Sequence, residues 1–325
     1  MGDPAGIGPE VVVKTLADPE IYRVCTPVVI GDARVLSETP GWPGGGPRIV
    51  KVATVEEARP EPGSVHLLDL ANVPPSMPAA EASSEGGRAS LEYLARATEL
   101  ALAGRVEVVV SAPFNKEAMR KANFPFRDEY DYLASLCGVQ EHTEFTVGPH
   151  FTLASVTLHV PMREVPALLT RDRILSTIRA SHAVARATGI PRPRIGVAAL
   201  NPHGGEGGNV GTEELEVIAP AVAAARIEGI DACGPFPADT LFMTVKEPRY
   251  DVYVGMYHDQ GRIAMKLLDF GRAVTVAEGL PVLFCTVSHG TAYDIAGKGV
   301  ARAENMKDAI LLAARRAVAR RSDEP

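Results

Sequence analysis

Three histidines, His159, His203 and His258, each stand where an apolar, β-branched run gives out. Neutral imidazole is a good ligand for a borderline divalent cation, and three protein ligands would leave coordination positions open for a substrate. On spacing alone, three unrelated loop residues remain the alternative. Two more side chains could share the chemistry. Lys266 follows His258 by eight residues on the stretch Arg262–Leu268, whose apolar members would desolvate its ammonium and bring its pKa into acid–base range; its other reading is an exposed lysine. Asp239, in Gly234-Pro235-Phe236-Pro237-Ala238-Asp239-Thr240-Leu241-Phe242, either caps the helix that follows or supports a metal and relays a proton.

Two glycine-rich loops follow apolar runs. In Asn201-Pro202-His203-Gly204-Gly205-Glu206-Gly207-Gly208-Asn209-Val210-Gly211 the glycines would let backbone N–H groups approach an anion, or simply make a flexible loop. In His289-Gly290-Thr291-Ala292-Tyr293-Asp294-Ile295-Ala296-Gly297-Lys298-Gly299, Asp294 could accept from a ribose diol and would repel a 2′-phosphate. No G-x-G-x-x-G heads a βαβ unit, and no P-loop, G-x-S-x-G elbow or H-E-x-x-H occurs. His66 and His182 read as structural, and His150 as solvated.

These residues need a scaffold, and the rest of the chain describes one. Apolar residues are 46% and charged residues 22% of 325, which suits a globular protein, while a net charge of −7 excludes a basic nucleic-acid or membrane footprint. No apolar run reaches membrane-spanning length. Cys25, Cys137, Cys233 and Cys285 are far apart and make no C-x-x-C pair, so they read as free thiols of a cytoplasmic protein. Short strands alternate with helices throughout, the pattern of an α/β protein with a mostly parallel sheet. The expected strands are Pro27–Gly31, Ser64–Leu70, Val106–Ala112, Thr152–His159, Arg194–Leu200, Tyr250–Tyr257 and Pro281–Val287. The expected helices are Pro9–Leu16, Arg88–Ala103, Lys116–Ala122, Asp131–Cys137, Asp172–Ala187, Glu213–Ile227 and Glu304–Arg320. Glu38–Pro47 and Val73–Gly87 read as surface connections. The opening Met1–Glu10 is a turn of the kind that ordinarily follows a strand.

Taken together, Met1–Glu10, Asn201–Gly208, Gly234–Phe242, Tyr257–Gly261 with Lys266, and His289–Gly299 resemble the PdxA family, the 4-hydroxythreonine-4-phosphate dehydrogenases of pyridoxal phosphate synthesis. The resemblance runs over essentially the whole chain. It implies two α/β/α lobes of the isocitrate/isopropylmalate dehydrogenase type with a cleft between them, one near 1–125 plus 279–325 and the other near 126–278. It also implies a homodimer whose metal site draws on both subunits. His159, His203 and His258 fall on the family's metal ligands, Asp239 on its acidic residue and Lys266 on a substrate-contacting lysine. His289, Gly290, Thr291, Ala292, Asp294, Ile295 and Gly297 fall on a cofactor loop like that of isopropylmalate dehydrogenases, where an Asp-Ile pair goes with NAD. The implied reaction oxidises a secondary alcohol β to a carboxylate, passes hydride to NAD, and leaves a ketone that decarboxylates easily with help from zinc, magnesium, manganese or cobalt.

Some positions depart from the pattern. The family's Gly-His-Thr-Glu segment matches Gln140-Glu141-His142-Thr143-Glu144 in letters, but matches Arg127–Ala134 by spacing and by the helix that follows. The spacing match puts Tyr130 and Asp131 where the family has His and Thr. The family's asparagine falls on Thr275 and its arginine on Phe284, and phenylalanine cannot supply an arginine's charge to a phosphate. The alternatives are therefore another hydroxy acid, a phospho-threonate or phospho-erythronate, or a cis-dihydrodiol carboxylate as substrate. A zinc hydrolase using the same three histidines is an alternative of another class.

Overall fold

A computed structural model describes the chain except residues 43–46, 141, 248, 324 and 325; part of the connection Glu38–Pro47, and Glu141 of the letter match, therefore lie outside the described residues. The chain divides into two compact units. Unit 1 holds Met1–His142 and Leu280–Val318, and unit 2 holds Thr143–Gly279 with the last residues from Ala319.

Unit 1 opens with helix α1 (Gly8–Leu16), which has Pro9 in its first turn, Glu10 at the positive end of the helix dipole and Lys14 in its last turn. Nearly every face of α1 is buried, including Val11, Val12, Val13 and Leu16, each worth about 1.5–3 kcal/mol of apolar burial. Then come α2 (Ile21–Val24), β1 (Val29–Gly31), α3 (Ala33–Glu38), β2 (Arg48–Lys51) and β3 (Ser64–Asp69). Strands β1, β3 and β2 form a parallel sheet in that order. Central β3 is buried along most of its length, as a strand covered on both faces must be. Next are α4 (Ser84–Leu102), β4 (Val108–Ser111), α5 (Lys116–Lys121) and α6 (Glu129–Leu136). Asp32, Ser83, Asn115 and Asp128 start α3, α4, α5 and α6 by accepting from amides of the first turn.

Unit 2 runs β5 (Thr143–Val147), β6 (Thr152–Ser155), α7 (Val165–Leu168), α8 (Arg171–Ala187), β7 (Arg194–Ala198), a π-helical turn Glu214–Ile218, α9 (Ala219–Ile227), β8 (Asp231–Phe236), α10 (Ala238–Leu241), β9 (Val252–Gly255), α11 (His258–Asp269) and β10 (Val274–Glu278). Its strands are ordered β10-β5-β6-β9-β7-β8. The β10/β5/β6 side is antiparallel, and β6, β9, β7 and β8 run parallel. Beneath them Phe151, Leu153, Leu241, Tyr253 and Met265 make an apolar core, with the Phe151 and Tyr253 rings edge to face at 5.4 Å. The chain returns to unit 1 with β11 (Leu283–Val287), which pairs parallel with β4, and ends in α12 (Glu304–Asp323).

The α/β expectation holds, with local corrections. Strand β6 stops at Ser155, though Val156 and Thr157 still donate to the carbonyls of Gly255 and Met256 at 2.9 and 3.1 Å. Helix α4 begins at Ser84, inside the expected connection Val73–Gly87, because Ser83 caps it. The expected helix Glu213–Ile227 is a π turn followed by α9, with Pro220 in the first turn of the latter. Strands β2, β5, β8 and β10 were not expected, and neither was helix α11.

Candidate active site

Four neighbouring parallel strands of unit 2 end in the residues with chemistry. His159 follows β6, His258 opens α11 directly after β9, His203 follows β7, and Asp239 lies on α10 after β8. Adjacent strands stand roughly 4.8 Å apart, so the loops leaving them are brought together by the sheet itself. The His159 and His258 rings are neighbours, with centroids 5.7 Å apart and planes tilted by 41°. Two imidazoles holding one ion through a nitrogen each put their centroids roughly 5–6 Å apart, so this pair fits a shared divalent cation. Both line a cavity of about 260 Å³ with Leu158, Val160, Met162, Val165, Tyr257 and Asp259.

The support beneath the pair is specific. His258 Nδ1 meets Asp259 Oδ1 at 2.6 Å, a carboxylate–imidazole contact of the kind that fixes a ring so that its other nitrogen can serve as a ligand. Gln260 accepts from Met256 N at 2.6 Å and donates to Ala199 O at 2.7 Å, tying the ends of β9 and β7 together. Gly261 lets α11 lie against β6, because a Cβ there would sit 2.3 Å from Leu153 Cδ1.

His203 is presented differently. Residues 203–207 are all left-handed, with φ of 53° at His203 and 47° at Glu206, a conformation that costs a non-glycine residue about 1–2 kcal/mol. The ring is exposed and Nδ1 meets Glu206 Oε1 at 2.8 Å. That bond, the Glu206 charge and the more distant Asp239 charge hold the imidazole pKa above its ordinary value. Beneath the loop, buried Glu214 accepts from Leu200 N and Asn201 N at 2.8 Å each and from Asn201 Nδ2 at 3.0 Å. Burial would raise that carboxyl, but the Asn201 and Leu200 amides hold it below the usual range. Among the described residues, the nitrogens of His159, His203 and His258 do not all come within 4.8 Å of one another in one chain.

Asp239 is exposed and accepts from Thr240 N at 3.0 Å. It does not cap a helix as one reading had it: Pro237 holds the cap position and Asp239 is already inside α10. Lys266 is exposed on α11. The expected desolvation does not occur within one chain, because Ile263 and Leu267 beside it point to solvent as well, at 62% and 80% exposure.

In unit 1 the loop His289–Gly299 is pinned along its length. Ile7 N donates to Thr291 O at 2.9 Å, Asn115 Nδ2 to Thr291 Oγ1 at 3.1 Å, and Tyr293 Oη to Asp3 Oδ2 at 2.6 Å. Burial pushes the Asp3 carboxyl up and the Tyr293 hydroxyl well above its ordinary range. At the far end Glu10 accepts from Gly299 N and Ala301 N, while Lys14 donates to Glu10 and to the carbonyls of Gly299 and Ala301. Thr291 is buried, and Ala292 and Ile295 pack on the core. His289 is half-buried, whereas Gly290, Asp294 and Gly297 are exposed. An exposed carboxylate on a pinned loop suits the hydroxyls of a ribose.

The expected substrate positions lie mostly inside. Phe284 is fully buried in β11 and meets the buried Tyr130 ring edge-on at 6.0 Å, and the Tyr130 ring stacks near His142 at 6.1 Å. Asp131 is half-buried and paired with Arg127 at 3.0 Å. In unit 2, Thr275 is buried on β10 opposite Thr146. Helix α6 begins at Glu129, as the spacing match requires, whereas Thr143 of the letter match opens β5. Sequence reasoning missed Gln260, Glu206 and Glu214. Gln260 and Glu206 stood beside the chosen histidines, but Glu214 acts on backbone thirteen and fourteen residues earlier and left no local signal.

Residues 23–313 match the family described as pyridoxal phosphate biosynthetic protein PdxA. The chain belongs to the PdxA family. It is 41% identical to a 4-hydroxythreonine-4-phosphate dehydrogenase of Trichlorobacter lovleyi, covering 98% of this chain and 97% of that one. Among solved structures, a 4-hydroxythreonine-4-phosphate dehydrogenase of Klebsiella pneumoniae superposes with a TM-score of 0.85 at 36% identity, covering 98% of each chain. A terephthalate 1,2-cis-dihydrodiol dehydrogenase of Burkholderia xenovorans does so with a TM-score of 0.66 at 28% identity, covering 97% of this chain and 96% of that one. As a PdxA-family member the chain is a dehydrogenase, which leaves the hydrolase alternative without support.

Proposed function

We propose that the chain oxidises a secondary alcohol β to a carboxylate with NAD and a divalent cation, acting on 4-hydroxythreonine-4-phosphate or a close analogue. The observation that carries this reading is the placement of His159, His258, His203 and Asp239 at the ends of four adjacent parallel strands. His159 and His258 hold the cation from one chain, with the Asp259 contact fixing the His258 ring. A zinc, magnesium, manganese or cobalt ion there would act as a Lewis acid that acidifies the alcohol and polarises the ketone. As the alcohol becomes a ketone, its hydride leaves for NAD and its hydroxyl proton passes to Asp239 or Lys266. Asp294 binds the ribose diol of NAD and disfavours NADP.

A second copy of the chain completes the site in this reading. Ile263, Leu267 and Phe270 make an exposed apolar stripe along and just past α11, beside Lys266. His203 is exposed on its rigid turn. A homodimer that covers the stripe would bury Lys266 and let His203 serve the partner's ion. The reading is that of a cytoplasmic enzyme of small-molecule metabolism.

For the substrate, the Tyr130–Phe284 contact favours a second reading. Phe284, at the position that the resemblance gives to the family's arginine, is buried against Tyr130 and supplies no cation for a phosphate. A hydroxy acid or cis-dihydrodiol carboxylate without phosphate needs no such cation. The test is NADH formation with 4-phosphohydroxythreonine, 4-phosphothreonate and cis-dihydrodiol carboxylates in turn. Turnover of a phosphorylated substrate supports the first reading, turnover of the diol alone the second, and turnover of none contradicts both.

A further inference from the structure

We propose that Glu214 is a positioning residue for the cation site, holding the left-handed turn that presents His203. The proposal rests on the reading of His203 as a metal ligand. Glu214 is 3% exposed and spends both carboxylate oxygens on the chain just before that histidine: Oε1 takes the Leu200 and Asn201 amides at 2.8 Å each, and Oε2 takes the Asn201 side chain at 3.0 Å. Glu213 takes the same Asn201 amide group at 2.7 Å. The turn also closes against Glu214 from the other side, since a Cβ on Gly205 would lie 2.7 Å from Glu214 Oε2.

Five successive left-handed residues, two of them non-glycine, do not persist unless their surroundings fix them. At the turn's ends the backbone is tied by Gly204 N to Asn201 O at 3.1 Å, Val210 N to Gly205 O at 3.0 Å and Asn209 N to Gly205 O. Glu214 supplies the anchor at the point where β7 ends and the turn begins. It stands at the first residue of a π-helical turn, a local irregularity that is frequent at functional sites. A buried carboxylate that satisfies three donors on the segment leading to a ligand is the arrangement by which outer residues set a metal site's affinity.

The test measures dissociation constants of the full-length protein for zinc and manganese by competition with a chromogenic chelator, together with hydrogen exchange over residues 200–205. The chains compared are wild type, His203→Ala, Glu214→Gln and Glu214→Ala. Glu214→Gln keeps the shape but turns a donor toward the Asn201 amide, so it tests the role even if Glu214→Ala fails to fold. Weakening of metal binding by roughly ten- to hundred-fold in Glu214→Gln, with faster exchange in the turn and secondary structure intact, supports the proposal. If His203→Ala weakens metal binding while Glu214→Gln stays within twofold of wild type, Glu214 is only a packing residue and the proposal is wrong. If His203→Ala itself leaves both constants unchanged, the ligand reading fails and takes the proposal with it.

Discussion

A histidine ligates a metal only as the neutral imidazole, and Glu206 makes His203 harder to deprotonate by holding its pKa above the ordinary value. Metal binding should therefore fall off, as pH drops, at a higher pH than an unperturbed histidine would give. In Glu206→Gln the acid limb of the metal-affinity profile should move to lower pH, whereas an unmoved limb would show that His203 does not control it. Glu214 gives the opposite sign. Its carboxyl pKa is depressed in the folded chain, so its contribution to stability is present above its ordinary value of 4.5 and is lost as pH falls through the depressed one. The stability difference between wild type and Glu214→Gln in urea should be full at neutral pH and close under acid. If Asp294 holds the ribose diol as proposed, Asp294→Ala should cut the preference for NAD over NADP by about 1.5–3 kcal/mol, the worth of charged hydrogen bonds; unchanged relative KM values would remove it from the site.

Elements place these residues through a few close approaches. Helix α11 can bring His258 over the sheet because Gly261 lies against Leu153. Gly261→Ala should cost about 1–3 kcal/mol by overpacking and displace His258, read as a lower urea midpoint together with weaker metal binding. Much of the scaffold is legible in the sequence: the alternation of apolar runs and amphipathic stretches marks seven strands and most long helices, and the ends of three of those strands carry the histidines. The misses have separate causes. Strand β2 has only Ile49 and Val50 between two charged residues, and β8 carries Gly234-Pro235, which reads as a turn. Strand β5 overlaps the letter match Gln140–Glu144, which reads as a motif and not as a strand. Glu214 was invisible because a buried carboxylate serving backbone amides is decided by tertiary structure and carries no periodic mark. Both readings of Lys266, desolvated and exposed, stay open in the sequence because a one-dimensional count of apolar neighbours cannot tell which face of a helix meets the core; the exposed one holds within one chain.

For the whole molecule, the proposed homodimer would cover the exposed stripe Ile263, Leu267 and Phe270 and complete the site with the exposed His203. Placing a charge on the stripe, as in Leu267→Glu, should shift the protein from dimer toward monomer in sedimentation and weaken metal binding in parallel; a dimer unaffected by that change would place the interface elsewhere. The family assignment carries the reaction type, and in the proposed reading Phe284 packed against Tyr130 marks a departure from the family pattern. The central claim is that oxidation depends on a cation held by His159 and His258. It is tested most directly by following NADH formation on an accepted substrate after stripping the protein with a chelator and then adding back zinc, manganese or magnesium. Activity should vanish on stripping and return with the ion in wild type, but not return in His258→Ala; NADH formation that persists in the stripped protein would contradict the account.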